Sequence, residues 1–296
     1  MPLRPRRFGV PLIVGALALA VAGCGGGGGG DDTDATKGLS ATEILDRSVQ
    51  AAGELNAFTI AVEGTATPVL APSASQQSLI PLSGPIEIGA QGPVVRPDQL
   101  SLDATITPGS FPIQANVTRV AGKVFVSALG RSYRLGLPEA QVARIDASQV
   151  FPLLRGWIAD PKIDGEDTVG GQKAVRITGT VDADAAAADV VSVMRTLGVS
   201  GDAASADAVA KRIAPQLTDG DTVTVWVRTN DFNPARFDTT IGIKDATAIN
   251  PALESLDADL SITLSDFNAD LSVQEPTGAQ ELTLNDIGQL LGGLGG

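Results

Sequence analysis

The sequence contains no histidine and a single cysteine among its 296 residues. Without histidine, Ser-His and Cys-His nucleophilic systems and histidine-ligated zinc sites are excluded. With one cysteine, an intrachain disulfide is excluded too, so the stability of the fold must come from its core. Catalysis by carboxylates alone is the enzyme chemistry that stays possible. We expect no enzyme activity and no cofactor.

Aromatic and basic residues are also scarce. Aromatic residues make up 4% of the chain, which disfavours a stacking platform for sugars or bases. Lysine and arginine number 21 against 34 acidic residues, which gives a net charge of −13. Because a surface this acidic repels phosphate backbones, the composition predicts no nucleic-acid partner.

The sole cysteine lies directly behind an N-terminal leader. Three arginines within the first seven residues precede an apolar run over residues 10–21. This run is too short to span a bilayer core, which needs about 20 residues. It ends in Val21-Ala22-Gly23-Cys24, the pattern at which bacterial lipoproteins are acylated on the thiol and cut just before the cysteine. We predict lipidation of Cys24; the alternative is an ordinary secretory leader followed by a chance cysteine.

Cleavage would leave acylated Cys24 ahead of a run of glycines and aspartates. Two or more acyl chains anchor a protein lastingly, because each buried methylene contributes about 0.8 kcal/mol. A glycine run behaves as a flexible coil. The sequence thus predicts a signal peptide (1–23), a lipidated tether (24–38) and a single domain (39–296), held by lipid at the outer face of the cytoplasmic membrane. The mature chain would carry 18 basic and 34 acidic residues, a net charge of −16.

The first predicted element of the domain is a helix over residues 40–53. Ser40 and Glu43 have the spacing of a capping box, and Leu39 and Ile44 occupy the positions of a hydrophobic staple. From residue 58 the apolar period changes from helical to two, which is typical of strands. Short alternating runs with turn signals between them predict an antiparallel meander.

The rest of the chain continues this mixed pattern. A loop is predicted over residues 68–85 and a helix pair over 182–197 and 203–217, followed by further strands to residue 267. The tail beyond residue 280 has the apolar spacing of a strand and a short helix. This order predicts an α+β fold with helices on one side of an antiparallel sheet.

Several phrases, taken in order, resemble one known family. They are the lipidation pattern with its glycine tether, the first helix leading into Phe58-Thr59-Ile60, DGEDTVGGQ at 164–172, VRITGTV at 175–181 and TVWV at 224–227. Together they resemble the LppX/LprA/LprF/LprG family of actinobacterial envelope lipoproteins. The chain is longer than typical members and poorer in aromatic residues.

The resemblance implies a strongly curved antiparallel sheet, a half-barrel, with helices covering its concave side over an apolar cavity. Family members bind acylated lipids or glycolipids there and move them within the cell envelope. The implied partners are therefore a lipid ligand, the membrane through the N-terminal acyl chains, and an envelope transporter.

Alternation within the strands marks fifteen apolar, largely β-branched residues as facing inward. They are Ile60, Val62, Leu102, Ile106, Ile113, Val117, Val175, Ile177, Val223, Val225, Val227, Ile241, Ile243, Ile262 and Leu264. Two interpretations stay open. These side chains line a lipid cavity, or they form a dry, packed core in a non-enzymatic scaffold lipoprotein that docks an envelope partner.

Polar residues give no stronger candidate site. Asp182 and Asp184 precede an alanine-rich helix, where N-capping is favoured over an acid/base pair. The acidic residues within 164–167 do not match the spacing of a calcium loop, so no metal site is predicted. Trp157 and Trp226 are expected in the core. Arg176 and Arg228 are expected in solvent.

Overall fold

The computed structural model describes residues 34–71, 84–110, 112–137, 150–196, 208, 210–217, 221–248 and 252–282. These described residues belong to one compact unit. Its main feature is a twelve-stranded sheet. The predicted lipidation site, Cys24, lies outside the described residues, as do the signal peptide and most of the tether.

The sheet and its helices follow the chain in this order. The strands are β1 (Ala57–Leu70), β2 (Ile86–Val95), β3 (Gln99–Pro108), β4 (Ile113–Val120), β5 (Lys123–Ala128), β6 (Arg131–Leu135), β7 (Ile158–Val169), β8 (Gln172–Val181), β9 (Thr222–Arg228), β10 (Pro234–Ile243), β11 (Leu253–Ser265) and β12 (Gln280–Leu282). The helices are α1 (Ala41–Glu54), α2 (Val150–Gly156) and α3 (Ala183–Thr196), with 3-10 turns at Ala214–Gln216 and Ala246–Ala248.

The strands pair in the order β12-β6-β5-β4-β3-β2-β1-β11-β10-β9-β8-β7, so the sheet is open at β12 and β7. Two meanders, β1–β6 and β7–β11, are joined where β1 pairs with β11. Neighbours are antiparallel, with the exception that β12 lies parallel to β6. The expected antiparallel sheet is therefore a mixed one. Its last strand reaches β6 through the long connection after β11, and such a connection permits a parallel arrangement.

The helix starts follow from their capping residues. The Ser40 hydroxyl accepts a hydrogen bond from the Glu43 N–H at 3.3 Å, and the Ser40 N–H donates to the Glu43 carboxylate at 2.9 Å. The Ser40 N–H, and then the Ser40 hydroxyl, which donates to the same carboxylate at 2.8 Å, hold the pKa of Glu43 below its usual value. The predicted capping box is confirmed. At α3, the Asp182 carboxylate accepts from the Ala185 N–H at 3.0 Å, which confirms the N-capping interpretation.

The predicted loop over residues 68–85 begins too early. Strand β1 continues through Pro68 to Leu70 because β11 pairs with it that far. Strand β2 stops pairing at Ala66, so Pro68 has a neighbouring strand on one side alone, as is usual for a proline within a sheet. Of the predicted helix over 203–217, the structure describes a helical segment at 210–213 and the turn Ala214–Gln216. The predicted tail helix lies outside the described residues.

The helices cover one end of the sheet's apolar face. Helix α1 packs against β7, β9 and β10 and against α2. The main core combines both layers, with Ile44, Leu45, Phe151 and Leu154 from the helices and Val225 and Phe237 among the strand residues. A smaller cluster joins Ala187 of α3 and Ile213 to the end of β10 at Ile243.

Candidate functional site

The strand register places all fifteen predicted inward residues on the same face of the sheet. Residues directly opposite each other in a ladder share a face, and Ile60–Leu264, Val62–Ile262 and Leu102–Val117 are such pairs. Nine of the fifteen are buried: Ile60, Val175, Ile177, Val223, Val225, Val227, Ile243, Ile262 and Leu264. Four are half-buried: Val62, Leu102, Val117 and Ile241. The other two, Ile106 and Ile113, are exposed.

Under α1 and α2 this face is packed. The space between these helices and the sheet holds a void of about 10 Å³, lined by Leu45, Phe151, Phe237 and their neighbours. Such a void has room for about one water molecule. Among the described residues, the buried Ser48 hydroxyl beside it has no hydrogen-bond partner. This part of the face is core, and the helix-covered lipid cavity that the resemblance implied is not shown there.

Over β2, β3 and β4 the same face is open. Ile88, Ile106 and Ile113 lie directly opposite one another on these three strands. Their side chains are 40%, 46% and 57% exposed. We call these three residues the isoleucine row. Ile88 was not among the predicted inward residues, although it alternates in phase with Ile86, as strand residues on one face do.

A groove of about 600 Å³ lies on the opposite, polar face. Thr105 and Thr107 of β3 and Thr222 and Thr224 of β9 line the same groove, although four strands separate β3 from β9. The sheet must therefore curve toward this face. The expected curved sheet is confirmed, but the apolar, helix-covered concave side that the resemblance implied is not shown, because the face that curves inward at this groove is polar. A twisted sheet is saddle-shaped, so each face can be concave along a different diagonal. This polar groove was not predicted from the sequence.

Among the acidic side chains of this groove, Asp238 forms an ion pair and Asp259 accepts a hydrogen bond. Arg236 pairs with Asp238 at 2.7 Å and lies over the Trp226 ring at 5.1 Å. The hydrogen bond to Asp238 raises the pKa of Arg236. The Thr240 hydroxyl donates to Asp259 at 2.7 Å. Within the described ranges, no three His, Cys, Asp or Glu side chains are grouped so as to hold a metal ion.

Asp167 is the centre of a second polar cluster, on β7–β9. It accepts hydrogen bonds from the Trp226 indole N–H at 2.8 Å and from Arg176 at 2.9 Å. Trp226, predicted in the core, instead lies half-buried on the polar face, because its two neighbours in β9 face the core. Its indole N–H finds a partner there. Trp157 does join the core, where its ring meets that of Phe237 edge-on at 6.5 Å.

The two arginines expected in solvent are both paired. Arg176 binds Asp164 at 3.0 Å as well as Asp167. Arg228 pairs with Asp231 at 3.1 Å and lies over a phenylalanine ring, with 18% of its side chain exposed. Because the chain has many acidic residues, a surface arginine often has a carboxylate nearby. Alternation along a strand does not reveal such a partner.

The Asp167 cluster should weaken in acid. The Trp226 hydrogen bond, and then the charge of Arg176, hold the pKa of Asp167 below its usual value. The unfolded chain therefore binds the proton more readily, so this contribution is present above pH ~4 and is lost as the pH falls through the lower folded pKa. We expect Asp167→Asn to be less stable than the wild type at neutral pH, with the difference shrinking in acid.

Urea unfolding at pH 7 and pH 3 measures this effect. Trp226→Phe removes the indole donor and keeps an aromatic ring, so its deficit should shrink in acid as well. An Asp167→Asn deficit of the same size at both pH values would contradict the assignment.

No helix among the described residues has the length and apolarity to cross a membrane. The predicted tether at Cys24 lies outside the described residues and stays a prediction from the sequence.

No protein-family model matches the chain, and no curated protein matches it. Similar solved structures include LprF from Mycobacterium bovis, at 16% identity and a TM-score of 0.45, covering 80% of this chain and 97% of LprF. Lipoprotein LppX from Mycobacterium tuberculosis matches at 15% identity and a TM-score of 0.45, covering 79% and 98%. A LolA superfamily protein from Nitrosomonas europaea matches at 11% identity and a TM-score of 0.27, covering 79% of this chain and 96% of that protein. The resemblance to the LppX/LprA/LprF/LprG family is confirmed to this extent: two of its members are structural neighbours of the chain.

Proposed function

We propose that this protein is a membrane-anchored lipoprotein that binds an acylated lipid or glycolipid on the open part of its apolar face and carries it within the cell envelope. Binding involves no bond chemistry. The observation that carries the proposal is the isoleucine row, three large apolar side chains exposed side by side on adjacent strands. Clustered exposure of this kind marks interaction sites, whereas single exposed apolar residues do not.

The energetics of such a surface favour an acyl chain. Covering about 100 Å² of apolar surface stabilises a complex by roughly 2.5 kcal/mol before ordering costs. A hydrocarbon chain supplies this cover without polar groups that would need partners. The predicted acylation of Cys24 would keep the domain beside a membrane, where such lipids are concentrated, and an envelope transporter is the partner we expect for delivery.

Lipid uptake by purified protein tests the proposal. We would use the full chain with Cys24→Ser, so that no acyl chain of its own is attached, and add a fluorescent palmitate analogue. Native mass spectrometry of the same sample identifies any co-purified lipid. We expect uptake to fall about tenfold when the isoleucine row is changed to serine, a loss equal to roughly 55 Å² of apolar contact.

Two exposed apolar residues outside the row provide the control. Leu129 lies in the β5–β6 turn and is fully exposed, and Val69 is 44% exposed. Serine at these positions should leave uptake unchanged. Absence of both co-purified lipid and probe uptake in the unsubstituted protein would refute lipid binding.

The packed space under α1 and α2 supports a second candidate function. With a void of about 10 Å³ there, the domain has the solid core expected of a scaffold that docks an envelope protein. Such a scaffold would use the isoleucine row as a protein contact and would take up no lipid, so the same uptake measurement separates the two candidates.

A further inference from the structure

A row of alanines crosses the open part of the apolar face beside the isoleucine row. Ala90, Ala104, Ala115 and Ala128 lie directly opposite one another on β2, β3, β4 and β5. Because directly opposite residues point to the same side, the four methyl groups form one line across the strands. All four are half-buried, so the line is accessible from outside.

Larger side chains stand on both sides of this line. The isoleucine row lies two residues away along the strands in one direction. Leu102, Val117 and Val126 lie two residues away in the other direction, again opposite one another. Two residues along a strand span about 7 Å, so the walls are about 13 Å apart at their Cα atoms. Small residues between two rows of large ones make a trough, which we call the alanine trough.

The trough is long and narrow. Its four strands span about 14 Å at roughly 4.8 Å per strand, and it continues to Val62 on β1 and to β6 at the other end. Wall side chains narrow the space between the rows, which suits an extended chain better than a fused ring system. At the β1 end Val62 lies opposite buried Ile262, so that end is apolar.

The β6 end carries a positive charge. Arg131 lies directly opposite Ala128 and is exposed. Within the described part of the chain it forms no ion pair, whereas Arg134 on the same strand lies on the other face and binds Glu281 at 2.6 Å. In a protein with 34 acidic residues, an available arginine at the mouth of an apolar trough is complementary to an anionic group attached to a hydrocarbon chain.

From these observations we infer that the alanine trough holds a single acyl chain of an anionic lipid, whose charged group pairs with Arg131. The inference rests on the proposed function and gives it a position and a ligand class. The chain lies across β2–β5 with its methyl end toward β1, and the carboxylate or phosphate lies at β6.

Filling the trough is the first test. Ala104→Leu with Ala115→Leu places two large side chains opposite each other on its floor. We expect binding of the fluorescent palmitate analogue to the Cys24→Ser chain to weaken about tenfold, equivalent to roughly 55 Å² of lost contact. The matched control is Thr105→Leu with Gln114→Leu, the neighbouring opposed pair on the polar face, which should leave binding unchanged. The leader is present in every variant, so its contribution cancels.

Changing the charge is the second test. Arg131→Gln should weaken binding of the palmitate analogue about two- to fivefold, as expected for an exposed ion pair, and leave the corresponding fluorescent alcohol unaffected. Arg134→Gln is the control on the same strand. An equal effect of Arg131→Gln on acid and alcohol would overturn the anionic assignment.

Photolabelling of the unsubstituted Cys24→Ser chain keeps the inference testable if a variant fails to fold. A diazirine-bearing palmitate should label β3 and β4 around Ala104 and Ala115. Labelling confined to α1 and α2, to another segment of the chain, or to the polar face would overturn the trough while leaving lipid binding in place. No binding of any probe would instead remove the proposed function itself.

Discussion

Phe237→Ala is expected to lower the free energy of unfolding by about 3–5 kcal/mol, the cost of emptying a fully buried aromatic site. The Phe237 side chain is 0% exposed, contacts the Trp157 ring and borders the small void beneath α1 and α2. Because that region is already packed, its neighbours have little freedom to close a larger cavity. Urea unfolding with a linear extrapolation measures the loss.

Ile113→Ala is the matched comparison on the same face. Ile113 is 57% exposed and lies beyond the helices, so its truncation should change the free energy of unfolding by about 0.5 kcal/mol or less. Equal losses at the two positions would contradict the division of this face into a packed part and an open part.

Gly92→Ala is expected to destabilise the protein by about 3 kcal/mol or more, because both the backbone and the space around it require glycine. Gly92 has a φ of +154°, and a Cβ atom there would lie 1.9 Å from the Ser101 carbonyl oxygen. The ladder between β2 and β3 would have to open to relieve this overlap. That ladder also carries Ala90 and Ala104, so lipid uptake should fall together with stability.

Gly89→Ala on the same strand is the control. A Cβ atom at Gly89 meets nothing within 4 Å. Alanine there restricts the unfolded chain, so stability should stay equal or rise by about 0.4–1 kcal/mol. Thermal unfolding followed by circular dichroism compares the two variants. If the Gly92→Ala protein had the same melting temperature as the Gly89→Ala protein, the close approach of β2 and β3 would not be needed for stability.

Local signals in the sequence predicted the starts of two helices and most of the strand positions. Ser40 and Glu43 specify the start of α1 through contacts within four residues, and Asp182 does the same for α3. Strand positions followed from the alternation of apolar and polar residues. The start of the loop at Pro68 was wrong because the pairing of β1 with β11 depends on residues nearly two hundred positions away.

Burial was harder to predict than secondary structure. Val223 and Ile113 show the same alternation, yet Val223 is fully buried and Ile113 is exposed. The difference arises from which helix lies over which strand, and nothing in a strand's own sequence encodes that. The alanine trough likewise depends on register, since four alanines on four strands form a line only when the pairing of the strands is known.

The central pairing of the sheet also bears on how quickly the protein can fold. Thr59 of β1 lies opposite Ser265 of β11, so β1 can pair with β11 only after almost the whole chain has been synthesised. Closing so long a loop is entropically costly, and topologies dominated by distant contacts fold slowly. Until β11 arrives, β1 presents an unpaired edge to solvent. We expect this interval to be the time at which the newly made chain is most prone to aggregate.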